Sequence, residues 1–308
     1  MGETRRWGLG RPQFVLPGRT NWRRELRWPG QVLVAPGDRL EPETEVAAGL
    51  APAPLRIVAL GRAQPVVRAG QPVAAGGLLA RRKPFLRRAI EVASPVGGTV
   101  RAHTDGQLVI APSALAVRLP AQLPGIVSAT HERWGVDVEG DFGLVYGTDG
   151  AGPEVHGQLG EDIAVFVDPV TPQMLQAALG QGIRALVAPS LTAPAAPSVA
   201  CLLTEKEPGR PMAPPIAEAL LAHVGSPAAI QFGACPVLGF ASNGPPAAQQ
   251  QQFGLGSWVR LADGRVARLL EVEPAARAFP SGVRAVAANV DLGDGTEAVA
   301  LDSLEWVA

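Results

Sequence analysis

The chain has 308 residues, a net charge of −1, 47% hydrophobic and 18% charged residues, and 36 Gly with 30 Pro. That apolar content excludes a disordered chain, and the length suits two or three domains rather than one core. The Gly and Pro content favours short strands joined by tight turns over long helices.

Residues 1–30 form an Arg/Trp-rich strap, with Arg5-Arg6-Trp7 and Trp22-Arg23-Arg24 as its densest stretches. Its residues suit stacking and phosphate contact on nucleic acid, or indole packing against the next domain with the guanidinium groups in solvent. The strap carries seven Arg and no apolar signal segment, and no stretch of the chain has the apolar length of a membrane helix. A cytoplasmic protein without membrane insertion is therefore expected.

Residues 31–123 contain a repeat. Val34, Gly37, Leu40 and Ala47 recur 33 places later as Val67, Gly70, Val73 and Ala80. Each copy reads as a strand, a turn with Gly at positive φ, and a second short strand. A third element runs from Ile90-Glu91-Val92 through Ser94-Pro95-Val96-Gly97-Gly98 to Val100, and ends at Gln107–Ile110. Together these motifs resemble the barrel-sandwich hybrid fold of lipoyl and biotinyl domains. The resemblance implies a compact β-module in which both copies fold together. A carrier role would need an exposed modified lysine at a hairpin tip. Lys83 lacks the flanking residues of either carrier type and lies eleven residues before Ser94. The Arg81, Arg82, Arg87 and Arg88 cluster around it reads as a solvated loop or a polyanion contact.

Residues 124–158 predict additional strands at Gly125–Ser128, Trp134–Val138 and Phe142–Gly147, then a turn region at Thr148–Pro153. Residues 159–244 change period. Ile163–Asp168 reads as a buried strand, and Thr171-Pro172 as the cap and first residue of a helix ended by Gly182. Strands at Ile183–Ala188, Ser198–Leu203 and Ala228–Phe232, with a helix from Pro214 to Val224, complete a predicted small parallel α/β domain. Ligands in such sheets bind beyond the carboxyl ends of the strands, which makes Asp168, Ser190, Thr204 and Glu205 a candidate pocket.

Residues 245–253 form a Pro/Gln linker. Residues 254–308 predict five short strands with Asp-Gly turns, an SH3-like β-barrel that resembles a KOW domain. The whole chain resembles an uncharacterised bacterial family that joins a barrel-sandwich module to a C-terminal KOW-like domain. The fold class expected is thus multi-domain and β-rich: a barrel-sandwich hybrid, a small parallel α/β domain and an SH3-like barrel.

His103, His131, His156 and His223 stand in separate segments, and Cys201 and Cys235 lack ligand spacing. No metal, no cofactor and no catalytic residue is therefore assigned, and both thiols are expected to be buried. Residues 1–123 carry +10, residues 124–253 carry −8 and residues 254–308 carry −3. The first reading is a non-enzymatic scaffold or adaptor that binds protein partners through β-modules. The alternatives are a nucleic-acid-associated factor using the basic half, and a small-ligand or enzymatic site in the α/β domain.

Overall fold

The computed structural model describes residues 13–82, 89–192, 199–205, 207–232, 235–242, 253–281 and 283–308. The molecule is β-rich, with 26 strands and two α-helices among these residues. The first fourteen strands, up to Tyr146, are two copies of one seven-stranded unit, one inserted within the other.

The outer copy begins with β1 (Phe14–Glu25), β2 (Gly30–Val32), β3 (Arg39–Leu40) and β4 (Glu45–Ala51). The inner copy follows whole: β5 (Arg56–Ala59), β6 (Gln64–Pro65), β7 (Pro72–Val73), β8 (Leu78–Arg82), β9 (Ile90–Ala93), β10 (Gly98–Thr104) and β11 (Gln107–Pro112). The chain then returns to finish the outer copy with β12 (Leu115–Pro120), β13 (Gly125–His131) and β14 (Gly135–Tyr146).

The hydrogen bonds establish the equivalence. Gly37 N–H donates to Val127 O at 2.8 Å, and Gly70 N–H to Val100 O at 2.7 Å. Val127 N–H answers to Asp38 O at 2.9 Å, and Val100 N–H to Gln71 O at 3.0 Å. Leu26 N–H donates to Trp134 O and Leu60 N–H to Gly106 O, both at 2.7 Å. Both turn glycines take positive φ, 94° and 84°, where a Cβ would be strained. The sheets match as well. The order β12-β4-β2 of the outer copy corresponds to β9-β8-β6 of the inner one. Strands β1, β14, β13 and β3 correspond to β5, β11, β10 and β7.

The 33-residue repeat leads to the expectation that both copies fold together around one core; instead each has its own. Leu40, Val46 and Ala47 of the outer copy pack with Trp22, Val127, Val136 and Val138. Leu79 and Ala80 of the inner copy pack with Leu60, Val100, Leu108 and Ile110. Each copy closes on its own later hairpin. The strands of residues 124–146 are therefore the second half of the outer copy, and Gly135–Tyr146 is one strand where the sequence predicts two.

Next come β15 (Asp149–Ala151), β16 (Val155–Gln158), β17 (Ile163–Val165), α1 (Pro172–Gly180), β18 (Ala185–Ala188) and β19 (Ala200–Leu203). The Thr171 side chain accepts from Met174 N–H and Pro172 occupies the first turn, as predicted. Strands β17, β18 and β19 are parallel neighbours. The chain continues through α2 (Pro214–Ala222) to β20 (Pro227–Gln231) and β21 (Val237–Ala241). Here the predicted four-stranded parallel sheet fails. Strand β20 pairs antiparallel with β16 and β21, and β21 pairs with β14, so both extend the outer copy's sheet. Its run Ala228-Ala229-Ile230 is buried, which periodicity cannot distinguish from a parallel strand. Val224 is 55% exposed, so it does not belong to the buried face of α2.

The last unit contains β22 (Trp258–Arg260), β23 (Val266–Ala278), β24 (Arg284–Asp291), β25 (Thr296–Ala300) and β26 (Glu305–Trp306), in the order β25-β24-β23-β22-β26. Its end is built into the body. Phe14 N–H donates to Val307 O at 2.7 Å, and Val307 and Ala308 lie in the same core as α2 and β20.

Candidate binding surface

Of the strand-end residues predicted as a pocket, Glu205 lies at a seam with the C-terminal unit. Asp168 is exposed, whereas Ser190, Thr204 and Glu205 are buried. Ser190 Oγ accepts from Gly209 N–H at 3.2 Å, and Glu205 Oε1 accepts from Ala213 N–H at 3.3 Å. Arg260, on β22 of the C-terminal unit, reaches over and donates to Glu205 at 2.9 Å. Both side chains of that pair are under a tenth exposed. Burial raises the Glu205 pKa, and the Arg260 guanidinium pulls it back in part. Beside the pair is a cavity of about 110 Å³ lined by Glu207, Arg210, Ser303 and Glu305. Asp168 does not line it. Glu205 is thus engaged in joining two units.

His223 lies in a wider groove with Leu16, Leu255 and Trp258, and its ring is held as a packing element. Its Nδ1 lies 2.7 Å from Ala219 O, and it packs against Phe240 at 5.0 Å between centroids. Cys201 is buried as expected, and burial pushes its thiol up to about 12. Cys235 is exposed, contrary to expectation, because it sits at a loop ahead of β21 rather than within a strand.

The strap residues divide. Trp22 is 2% exposed and packs in the outer copy's core, which removes it from any stacking role. Arg24 is also 2% exposed. Its Nε donates to Pro120 O at 2.9 Å and both Nη atoms lie 3.2 Å from Glu154 Oε2. Burial lowers its pKa, with Glu154 acting against that shift. Trp22 and Arg24 are therefore structural, and their assignment as polyanion contacts is corrected. Alternation along β1 turns both toward the core and leaves Arg23 outside, 3.2 Å from Glu25. Arg5 and Arg6 lie outside the described residues.

The inserted copy has a different character. Residues 52–114 hold nine Arg and Lys against two Asp and Glu, a net +7. Arg56, Arg62, Arg68, Arg81, Arg82 and Arg101 are all exposed. Arg81 pairs with Glu91 at 2.6 Å. The other five have no ion pair with the described residues. In the outer copy Arg24 pairs with Glu154, Arg19 with Glu139, Arg118 with Glu45 and Arg23 with Glu25, whereas Arg27, Arg39 and Arg133 have no ion pair with the described residues. The sequence reading singled out Arg81, Arg82, Arg87 and Arg88, of which Arg87 and Arg88 lie outside the described residues. It missed Arg56, Arg62, Arg68 and Arg101. They are scattered singly along the chain, and only the closing of residues 52–114 into one unit collects them.

Apolar groups accompany these charges. Leu55 is 60% exposed and Ile57 67%. Ile57 stands opposite Val109, and Val109 opposite Ala102, giving one apolar row across three strands on the face turned from the core. The described part of this lobe contains no Phe, Tyr or Trp. No protein-family model matches the chain, and no curated protein matches it.

Proposed function

We propose that this protein is a scaffold or adaptor that binds a protein partner through its β-modules, with the inserted lobe as the contact element. The observation that carries this reading is the net +7 charge of residues 52–114, with Arg56, Arg62, Arg68, Arg82 and Arg101 exposed and without an ion pair to the described residues, set beside exposed Leu55 and Ile57. A lobe that is cationic and also apolar matches the mixed character of protein contacts, where Arg and large apolar side chains are enriched. The nested copies are read as barrel-sandwich hybrids, supported by their duplicated sheets. The C-terminal strands are read as an SH3-like barrel of KOW type, supported by the return of β26 to β22.

A nucleic-acid-associated role is the second reading, favoured by the charge alone. Phosphate contacts made by arginine produce steep salt dependence. Affinity purification of the full chain at low and moderate salt, with co-purifying nucleic acid measured, separates the two. One protein retained at moderate salt is the expected result. Nucleic acid that is lost with salt, and lost when Arg81, Arg82, Arg87 and Arg88 are neutralised, would establish the second reading instead.

A further inference from the structure

The duplication supplies an internal comparison at the outer edge of its equivalent strands. Strand β1 of the outer copy and β5 of the inner copy each pair along one side, with β14 and β11. Leu26 and Leu60 each donate toward the paired side. Because donors alternate along an antiparallel strand, the backbone groups of Arg23 and Glu25 in β1, and of Ile57 and Ala59 in β5, face the other way. In the outer copy that side is met at Arg23, while no hydrogen bond to the outward groups of Glu25 forms among the described residues. Gln231 Nε2 donates to Arg23 O at 3.1 Å, and the Arg24 side chain ties the strand to Pro120 and Glu154. In the inner copy no hydrogen bond to the outward groups of Ile57 or Ala59 forms among the described residues.

An exposed strand edge with unmet backbone donors and acceptors is a template for another strand, unless it is blunted. Here Leu55, Ile57 and Ala59 are exposed along it. Arg56 and Arg62 flank it, each exposed and without an ion pair to the described residues. The lobe bearing it is +7.

We propose that β5 is a docking edge for an extended, acidic segment of a partner protein, which adds antiparallel or parallel as a further strand of the β5-β11-β10-β7 sheet. The backbone of Ile57 and Ala59 provides the register, Leu55 and Ile57 meet apolar side chains, and Arg56 and Arg62 meet carboxylates. Charge complementarity selects the segment and the open edge orients it. This inference rests on the scaffold reading above and names its mode of binding.

The test uses the full chain and a fluorescein-labelled octapeptide that alternates Glu with Val, followed by fluorescence anisotropy. Ile57→Pro deletes an outward N–H while leaving the β5–β11 bonds in place. It is expected to weaken the peptide about tenfold, the effect of losing roughly one well-made contact. Arg56→Glu with Arg62→Glu is expected to weaken it by a similar factor and to flatten its salt dependence. Amide hydrogen exchange on the unaltered chain avoids any folding defect of the proline variant. Peptide should slow exchange at Ile57 and Ala59 and leave Arg23 and Glu25 unchanged.

Unchanged exchange at Ile57 and Ala59 in the bound state, or slowing at Arg23 and Glu25 instead, would overturn the edge assignment. If the glutamate variants still lose the peptide in that case, the scaffold reading survives the failure of this one. Binding of a labelled oligothymidylate in place of the peptide would overturn both. Peptide-independent protection of Ile57 that rises with protein concentration would overturn the assignment to a partner protein and give the edge to a second copy of this chain.

Discussion

At the residue scale, the pair Glu205–Arg260 decides the character of the predicted strand-end pocket. A carboxylate and a guanidinium are held together under near-complete burial, and the attraction has to offset the loss of hydration of both. Removing one partner leaves an unpaired buried charge, so Arg260→Ala should cost about 3 kcal/mol near neutral pH. The pH dependence follows from the direction of the Glu205 shift. Its folded pKa lies above its unfolded value, so the linked stability is complete below the unfolded pKa and is lost as pH rises through the folded one. Without Arg260 the folded pKa rises further, and the variant's deficit should shrink as the medium is acidified and Glu205 takes up a proton. Urea unfolding of both proteins between neutral and mildly acidic pH measures it. A pH-independent deficit would mean that the lost packing of Arg260, not its charge, dominates.

At the scale of elements, the glycines of the duplicated turns and strands serve two different needs. Gly37 and Gly70 hold positive φ, and a Cβ at either would meet nothing within 4 Å, so the constraint is conformational. Gly98 is a steric case: a Cβ there would lie 2.2 Å from Ala111 O and 2.7 Å from Pro112 Cα on the neighbouring strand. Gly125, its counterpart in the outer copy, meets Glu139 O at 2.6 Å. Gly70→Ala should therefore cost about 1–2 kcal/mol, the usual penalty for an L-residue in the left-handed region. Gly98→Ala should cost more, because the β10–β11 pairing has to open to admit it. Thermal unfolding of the two variants ranks them, and an equal or smaller effect at Gly98 would refute the steric account. The repeat in the sequence was legible at this scale because each turn demands the same residue, Gly37 or Gly70, at the same place. The partner of each turn was not legible. Val127 and Val100 are ordinary valines whose selection depends on three-dimensional closure.

At the scale of the whole molecule, the nested arrangement makes one lobe separable. Ala51 and Leu115, where the inner copy leaves and rejoins the outer, are paired across β4 and β12. No residue of the inner core belongs to the outer one. Replacing residues 52–114 with Asn-Gly should close β4 and β12 as a two-residue hairpin and leave the body folded. Circular dichroism and a cooperative thermal transition are the expected readouts. Loss of cooperative unfolding would mean that the lobe supports the body. The same excision removes +7 of charge, so the shortened chain should also lose the acidic peptide.

The sequence by itself determined the β-rich character, the Gly turns of the two copies, and helix α1 with its Thr171 cap and Pro172 start. These features are set by dihedral preference and by hydrogen bonds within a few residues. Tertiary structure alone decided that β20 joins the outer sheet, that Trp22 and Arg24 turn inward, that Arg260 meets Glu205, and that the scattered arginines of residues 52–114 share one lobe. Each of those outcomes pairs residues far apart in the chain. Local pattern states that a strand is buried, whereas shape and charge complementarity across the core decide which strand lies beside it.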